Sequence, residues 1–174
     1  QQPFLWIDVP GCQLSAEDKD ILSHPAIAGI ILFTKNFESI PQLCALTQSI
    51  RAVSPQLIIT VDQEGGRVQR FKEGFTALPA MSHWGRLYRE SPAQTELGLQ
   101  QTLACMASEL RQVGVDATLA PVLDIDYGRS AIIGERSFGS DPSLVFTLGK
   151  MVVDQLHRLN MPAIGKHFPG HGWV

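Results

Sequence analysis

Short apolar runs alternating with stretches of helical period predict an α/β fold built on a parallel sheet. The runs AGIILF (28–33) and LIITV (57–61) are apolar almost throughout, as strands are when helical crossovers cover both faces of their sheet. Four predicted strands end in polar residues: Thr34-Lys35-Asn36, Asp62-Gln63-Glu64, Asp124-Ile125-Asp126 and Lys166-His167. Chemistry spread over the C-terminal ends of many strands is the pattern of a TIM (β/α)8 barrel, whereas a doubly wound open sheet gathers its ligand at one switch point. The expected fold is therefore a TIM barrel of which this chain supplies roughly the first five βα units. Five strands cannot close an eight-stranded barrel, so the missing strands are expected beyond Val174.

The strands are expected at residues 4–9, 27–34, 57–62, 117–125 and 162–166, with helices between them. Ser15 opens the first helix, with Asp18 three residues on as its capping-box partner. Ser91-Pro92 and Asp141-Pro142 open two more, each an N-cap followed by the proline that a first helical turn tolerates. After Asp141, Leu144, Leu148, Met151, Val152, Leu156 and Leu159 recur at helical spacing, as an amphipathic helix laid on a sheet requires. No internal repeat, low-complexity segment or linker divides the chain, so residues 1–174 are expected to form part of one domain.

Composition narrows the function. The 174 residues are 44% apolar and 18% charged, a profile of a globular chain rather than a disordered or membrane-embedded one. No apolar run reaches the roughly 18 residues that a bilayer span needs. A net charge of −3 and the absence of a Lys/Arg cluster argue against nucleic acid or an anionic membrane as partner, and for a small or neutral ligand. Cys12, Cys44 and Cys105 lack CxxC spacing and are odd in number, so they are expected as buried thiols in a reducing compartment. The N-terminus shows no signal-peptide pattern, although it also lacks an initiator Met.

Three stretches carry candidate chemistry. VDQEGGRVQRF (61–71) follows a strand and contains two glycines, yet it matches neither GxGxxG nor GxxxxGK[ST], and Asp62 and Glu64 would repel a phosphate. Interleaved carboxylates and guanidinium groups suit an array of hydroxyls better, with Asp62 accepting and Arg70 donating. Glu64 and Arg67 are expected instead as ion pairs shaping the rim, because alternate residues leaving a strand point to different sides. In IGERSFGSDP (133–142), spacing alone assigns Arg136 no more than a surface ion pair. In GKHFPGHG (165–172), His167 and His171 are four apart, but the intervening FPG cannot be helical, so a metal pair is not expected. Asp124 and Asp126 fit either paired carboxylates or a strand end whose side chain bonds the next turn. His24, His83 and His157 are read as surface or packing residues.

GIILFTKNF, VDQEGGRVQRF, APVLDI, GERSFGSDP and GKHFPGHG, in this order and at these intervals, resemble the N-terminal half of the bacterial β-N-acetylhexosaminidases of glycoside hydrolase family 3. The resemblance covers essentially the whole chain. It implies a cytoplasmic, cofactor-free and metal-free retaining exo-hydrolase. Its substrate would be an N-acetylglucosamine-containing (anhydro)muropeptide, met during peptidoglycan recycling. It also implies that Asp62, Arg70, Arg136, Lys166 and His167 hold the non-reducing sugar, and that His171 orders its loop. The acid–base His and nucleophile Asp of the family are expected beyond Val174, which would leave residues 1–174 inactive alone. Two other readings remain open on the residues: a non-catalytic carbohydrate-binding or interaction module ending at Val174, and, more weakly, an open-sheet nucleotide binder.

Overall fold

A computed structural model describes residues 2–173, so Val174 lies outside the described residues. Strands β1 (Leu5–Ile7), β2 (Ile27–Leu32), β3 (Ile58–Val61) and β6 (Ala117–Thr118) form one sheet in the order β1-β2-β3-β6, with every neighbouring pair parallel. Parallel bridges from Thr118 to Ala163 and from Val122 to Lys166 set residues 163–166 beside β6. The five predicted strand positions thus stand side by side in chain order. A doubly wound sheet reverses that order at its switch point, so the arrangement is the wall of a TIM barrel.

The fourth and fifth strands are shorter than expected, and Pro121 accounts for it: without an N–H it cannot continue a ladder. Pairing resumes irregularly around it. Ile164 N donates to Ala120 O (2.9 Å), Lys166 N to Pro121 O (3.1 Å) and Leu123 N to Lys166 O (2.6 Å). A second departure follows β3, where β4 (Gln63–Gly65) and β5 (Val68–Gln69) pair antiparallel in a stretch expected as a loop.

The helices are α1 (Ala16–Leu22), α2 (Ile40–Val53), α3 (Met81–Glu90), α4 (Pro92–Gln112) and α5 (Pro142–Arg158). Ser15 Oγ accepts from Asp18 N at 3.1 Å while Asp18 Oδ2 accepts from Ser15 N at 2.8 Å, completing the predicted box. Asp141 caps α5 through Ser143 N (2.9 Å). Ser91 stands at the N-cap position of α4 without a side-chain cap bond; the same residue ends α3, its backbone N–H donating to Leu87 O.

Leu144, Leu148, Val152 and Leu156 of α5 are all buried and belong to one hydrophobic core that also holds Leu99, Leu103 and Leu110 of α4 and Ile30, Ile59 and Val61 of the sheet. Burying each such leucine contributes about 1.5–3 kcal/mol. A cap contributes about 1 kcal/mol, so the buried stripe and not the cap decides where α5 lies. The cysteines correct an expectation: Cys12 and Cys44 are only half-buried and Cys105 is exposed. Cys105 falls between the inward residues Leu103 and Met106 on the outer side of α4. No helix among the described residues is long and apolar enough to cross a membrane.

Candidate active site

The site lies where β3, the β4–β5 hairpin, the 3-10 turn Gly134–Arg136 and residues 163–166 bring their polar ends together. Asp62 leaves β3 directly. The hairpin then reverses through Gly65 (φ 109°) and Gly66 (φ 56°), which take conformations that L side chains rarely adopt. A Cβ on Gly65 would also stand 2.2 Å from Pro79 O. Buried Gln63 stitches the returning strand, its Oε1 accepting from Arg70 N (3.0 Å) and Phe71 N (3.2 Å) and its Nε2 donating to Phe71 O (2.9 Å). Arg70 is thereby carried back beside Asp62.

Asp62 accepts from Lys166 Nζ (2.6 Å) through one oxygen and from Arg70 Nη2 (2.9 Å) through the other. Glu64 holds Arg136 in a two-pronged pair, with Nε and Nη2 both at 2.8 Å, and also lies 2.5 Å from Lys166 Nζ. Lys166 is the hinge of the cluster, shared by both carboxylates. Burial works to raise the Asp62 carboxyl, but Lys166 and then Arg70 outweigh it and hold the group below its ordinary value. Arg136 is held above its ordinary value by the bond to Glu64, against the opposing effect of burial.

His167 follows Lys166, but its ring turns to Asp124, whose Oδ2 lies 2.5 Å from His167 Nδ1. The same oxygen accepts from His167 N (3.2 Å), and Oδ1 accepts from His171 N (2.6 Å). Three carboxylates therefore face three permanent cations and one histidine, giving a formally neutral array of donors and acceptors. Such an array matches an uncharged polyhydroxy ligand better than an anion. No group of three or more His, Cys, Asp or Glu side chains among the described residues is placed to hold a metal ion.

The structure brings Asp62, Arg70, Arg136 and Lys166 into one network, with His167 at its border. It changes the reading of Glu64, which is buried inside this network rather than placed on the rim. Residues two apart along an extended chain share a face, and that rule groups Glu64 with Asp62. Arg67 does occupy the rim, bonding Ala131 O (3.1 Å) and approaching Glu135 at 3.9 Å. Asp124 and Asp126 divide: Asp124 is buried, while Asp126 bonds Gly128 N in the next turn (2.8 Å). Spacing alone left Asp124 undecided because its partners come from a loop 43 and 47 residues away.

The model of the glycosyl hydrolase family 3 N-terminal domain matches residues 5–174. The chain belongs to glycosyl hydrolase family 3. Within the family it is 47% identical to a beta-hexosaminidase of Nitrosospira multiformis, over 97% of this chain and 48% of that protein. It is 50% identical to a beta-hexosaminidase of Pasteurella multocida, over 98% of this chain and 48% of that one. The crystal structure of NagZ from Neisseria gonorrhoeae superposes with a TM-score of 0.92 at 45% identity, covering 99% of this chain and 51% of NagZ. A complex of the same NagZ with N-trifluoroacetyl-D-glucosamine superposes equally well, with a TM-score of 0.93. The chain spans about half the length of these family 3 relatives.

Proposed function

We propose that this chain is the sugar-holding half of a β-N-acetylglucosaminidase that removes terminal, non-reducing β-linked N-acetylglucosamine from (anhydro)muropeptides by retaining hydrolysis. The observation that carries the reading is the neutral carboxylate–cation network on the strand ends of a family 3 barrel wall. Asp62 spends one acceptor site on Lys166 and one on Arg70, and a carboxylate has about four, so two remain for ligand hydroxyls. Arg70, Arg136 and Lys166 keep donors to spare, and His167 adds a ring nitrogen. A pyranose gives up many water hydrogen bonds on binding, and each left unreplaced costs about 1–3 kcal/mol.

Retaining hydrolysis also needs a group that protonates the leaving oxygen and a carboxylate that attacks the anomeric carbon. On this reading both, a His and an Asp, are expected beyond Val174. These residues would therefore supply ground-state and transition-state grip, and the rest of the barrel the covalent chemistry. Peptidoglycan recycling in the cytoplasm is the setting this reading implies. The reaction would need no cofactor.

Kinetics of Asp62→Ala in the whole protein, on an aryl N-acetylglucosaminide, test the proposal. Removing Asp62 leaves Arg70 and Lys166 each short of a partner and takes a hydroxyl acceptor from the sugar, so kcat/KM should fall about 10²-fold or more. A loss smaller than about fivefold would overturn the sugar-binding assignment.

A further inference from the structure

Building on the sugar-binding reading of the site, we infer that Asp124 is its positioning residue: one buried carboxylate sets the tautomer and orientation of His167 and ties residues 167–171 to the wall. The Asp124 side chain is 1% exposed, and all three of its hydrogen bonds come from a single loop, two from His167 and one from His171 N. Asp62 and Glu64 face Lys or Arg. Asp124 has no Lys or Arg within 4.0 Å among the described residues, so its charge is satisfied by that loop.

The carboxylate itself sits on rigid support. Ser137 Oγ, fully buried, donates to Asp124 O (2.6 Å) and so joins Asp124 to the turn that carries Arg136 one residue earlier. On the loop side, a Cβ added to Gly172 would stand 2.0 Å from Ile125 O, so the chain leaving the loop runs hard against the strand end. Asp124 thus links two segments of the site that are far apart in sequence.

The chemistry follows from which ring nitrogen is occupied. A carboxylate oxygen accepts, so the nitrogen facing it, Nδ1, carries the hydrogen. In the neutral ring Nε2 is then an acceptor. It has no protein partner among the described residues, and the side chain is 30% exposed, which leaves it open to a ligand hydroxyl. An acceptor there complements Lys166, Arg70 and Arg136, which can only donate. Burial works to raise the Asp124 carboxyl, but the His167 side chain and the loop N–H groups hold it below its ordinary value, so the ionised form that this tautomer needs is the stable one.

Replacing Asp124 by Asn exchanges one acceptor oxygen for a donating NH2 of nearly equal size. Where such a substitution is made at a His–carboxylate pair, the geometry survives and the tautomer is lost. The test is nitrogen NMR of the whole protein labelled with ¹⁵N-histidine, with His167 assigned from its loss in His167→Asn. The wild type should show His167 protonated on Nδ1, and Asp124→Asn should shift the proton to Nε2. An Nε2–H tautomer in the wild type would overturn the inference even if the variant fails to fold, and so would an unchanged ring in a folded variant. With the tautomer inverted, kcat/KM on an aryl N-acetylglucosaminide should fall about 10- to 100-fold, and a change under about threefold would remove Asp124 from the working site. Asp62→Ala measured alongside gauges the sugar reading separately: if it retains wild-type turnover, that reading fails, whereas the tautomer measurement involves no sugar.

Discussion

Asp62 and Glu64 share one lysine, so a single Nζ bridges a half-buried and a buried carboxylate. Breaking a buried pair by removing one partner costs about 3–5 kcal/mol, because the survivor is left charged and uncompensated. The same logic sets a pH dependence. Asp62 and Asp124 both have folded-state values below the ordinary aspartate value of 3.8, so they bind fewer protons folded than unfolded at that pH. Their contribution to stability is complete above the unfolded value and is lost as pH falls through it towards the lower folded value. Wild-type protein should therefore lose more stability than Asp62→Asn between about pH 5 and pH 3, measured by urea unfolding at each pH. Equal losses in the two proteins would contradict the ionic role given to Asp62.

At the scale of elements, the Arg136 turn is held by how closely α3 approaches it. Gly85 of α3 lies under Phe138, and a Cβ there would come 1.7 Å from Phe138 O. That atom is backbone and cannot swing aside. Alanine is the better helix former by about 1 kcal/mol, yet overpacking costs about 1–3 kcal/mol, so the clash should win. Gly85→Ala is expected to lower the melting temperature and, by displacing the turn, to weaken turnover of an aryl N-acetylglucosaminide. Gly98→Ala is the comparison, since its Cβ would meet only the Trp84 ring at 2.8 Å and a side chain can shift. A higher melting temperature for Gly85→Ala than for the wild type would show that α3 does not set the position of the turn.

Across the whole molecule, the wall leaves apolar surface uncovered. A groove of about 390 Å³ between residues 123–125 and α5 is lined by Leu123, Ile125, Val145, Phe146 and Val153, with Phe146 70% exposed. At the opposite edge Phe4, Leu5 and Trp6 are exposed beside β1, which pairs only with β2 among the described residues. Closing a barrel removes edges of this kind, whereas exposed edges and large apolar patches drive association. Residues 1–174 expressed alone should therefore associate in light scattering. They should also hydrolyse an aryl N-acetylglucosaminide only at background, because the proposed reaction draws its acid and nucleophile from elsewhere in the barrel. A monodisperse, cooperatively unfolding monomer would contradict the first expectation, and turnover abolished by His171→Ala would contradict the second.

Local signals were enough for much of this protein. The alternation of apolar runs with helical stripes, the Ser15 and Asp141 caps, and the polar residues closing each strand are read within a few positions of one another, and they specify a parallel barrel wall with its chemistry at one end. The motif resemblance then picked out Asp62, Arg70, Arg136, Lys166 and His167, of which the first four meet in one network. The tertiary structure alone decided that Glu64 belongs to that network, that Asp124 anchors the His167 loop, and that residues 63–69 form a hairpin. The physical reason is distance along the chain. Glu64 meets Arg136 across 72 residues and Asp62 meets Lys166 across 104, so whether a carboxylate finds a cation, a histidine or solvent depends on ladder register and helix packing, which no local pattern encodes.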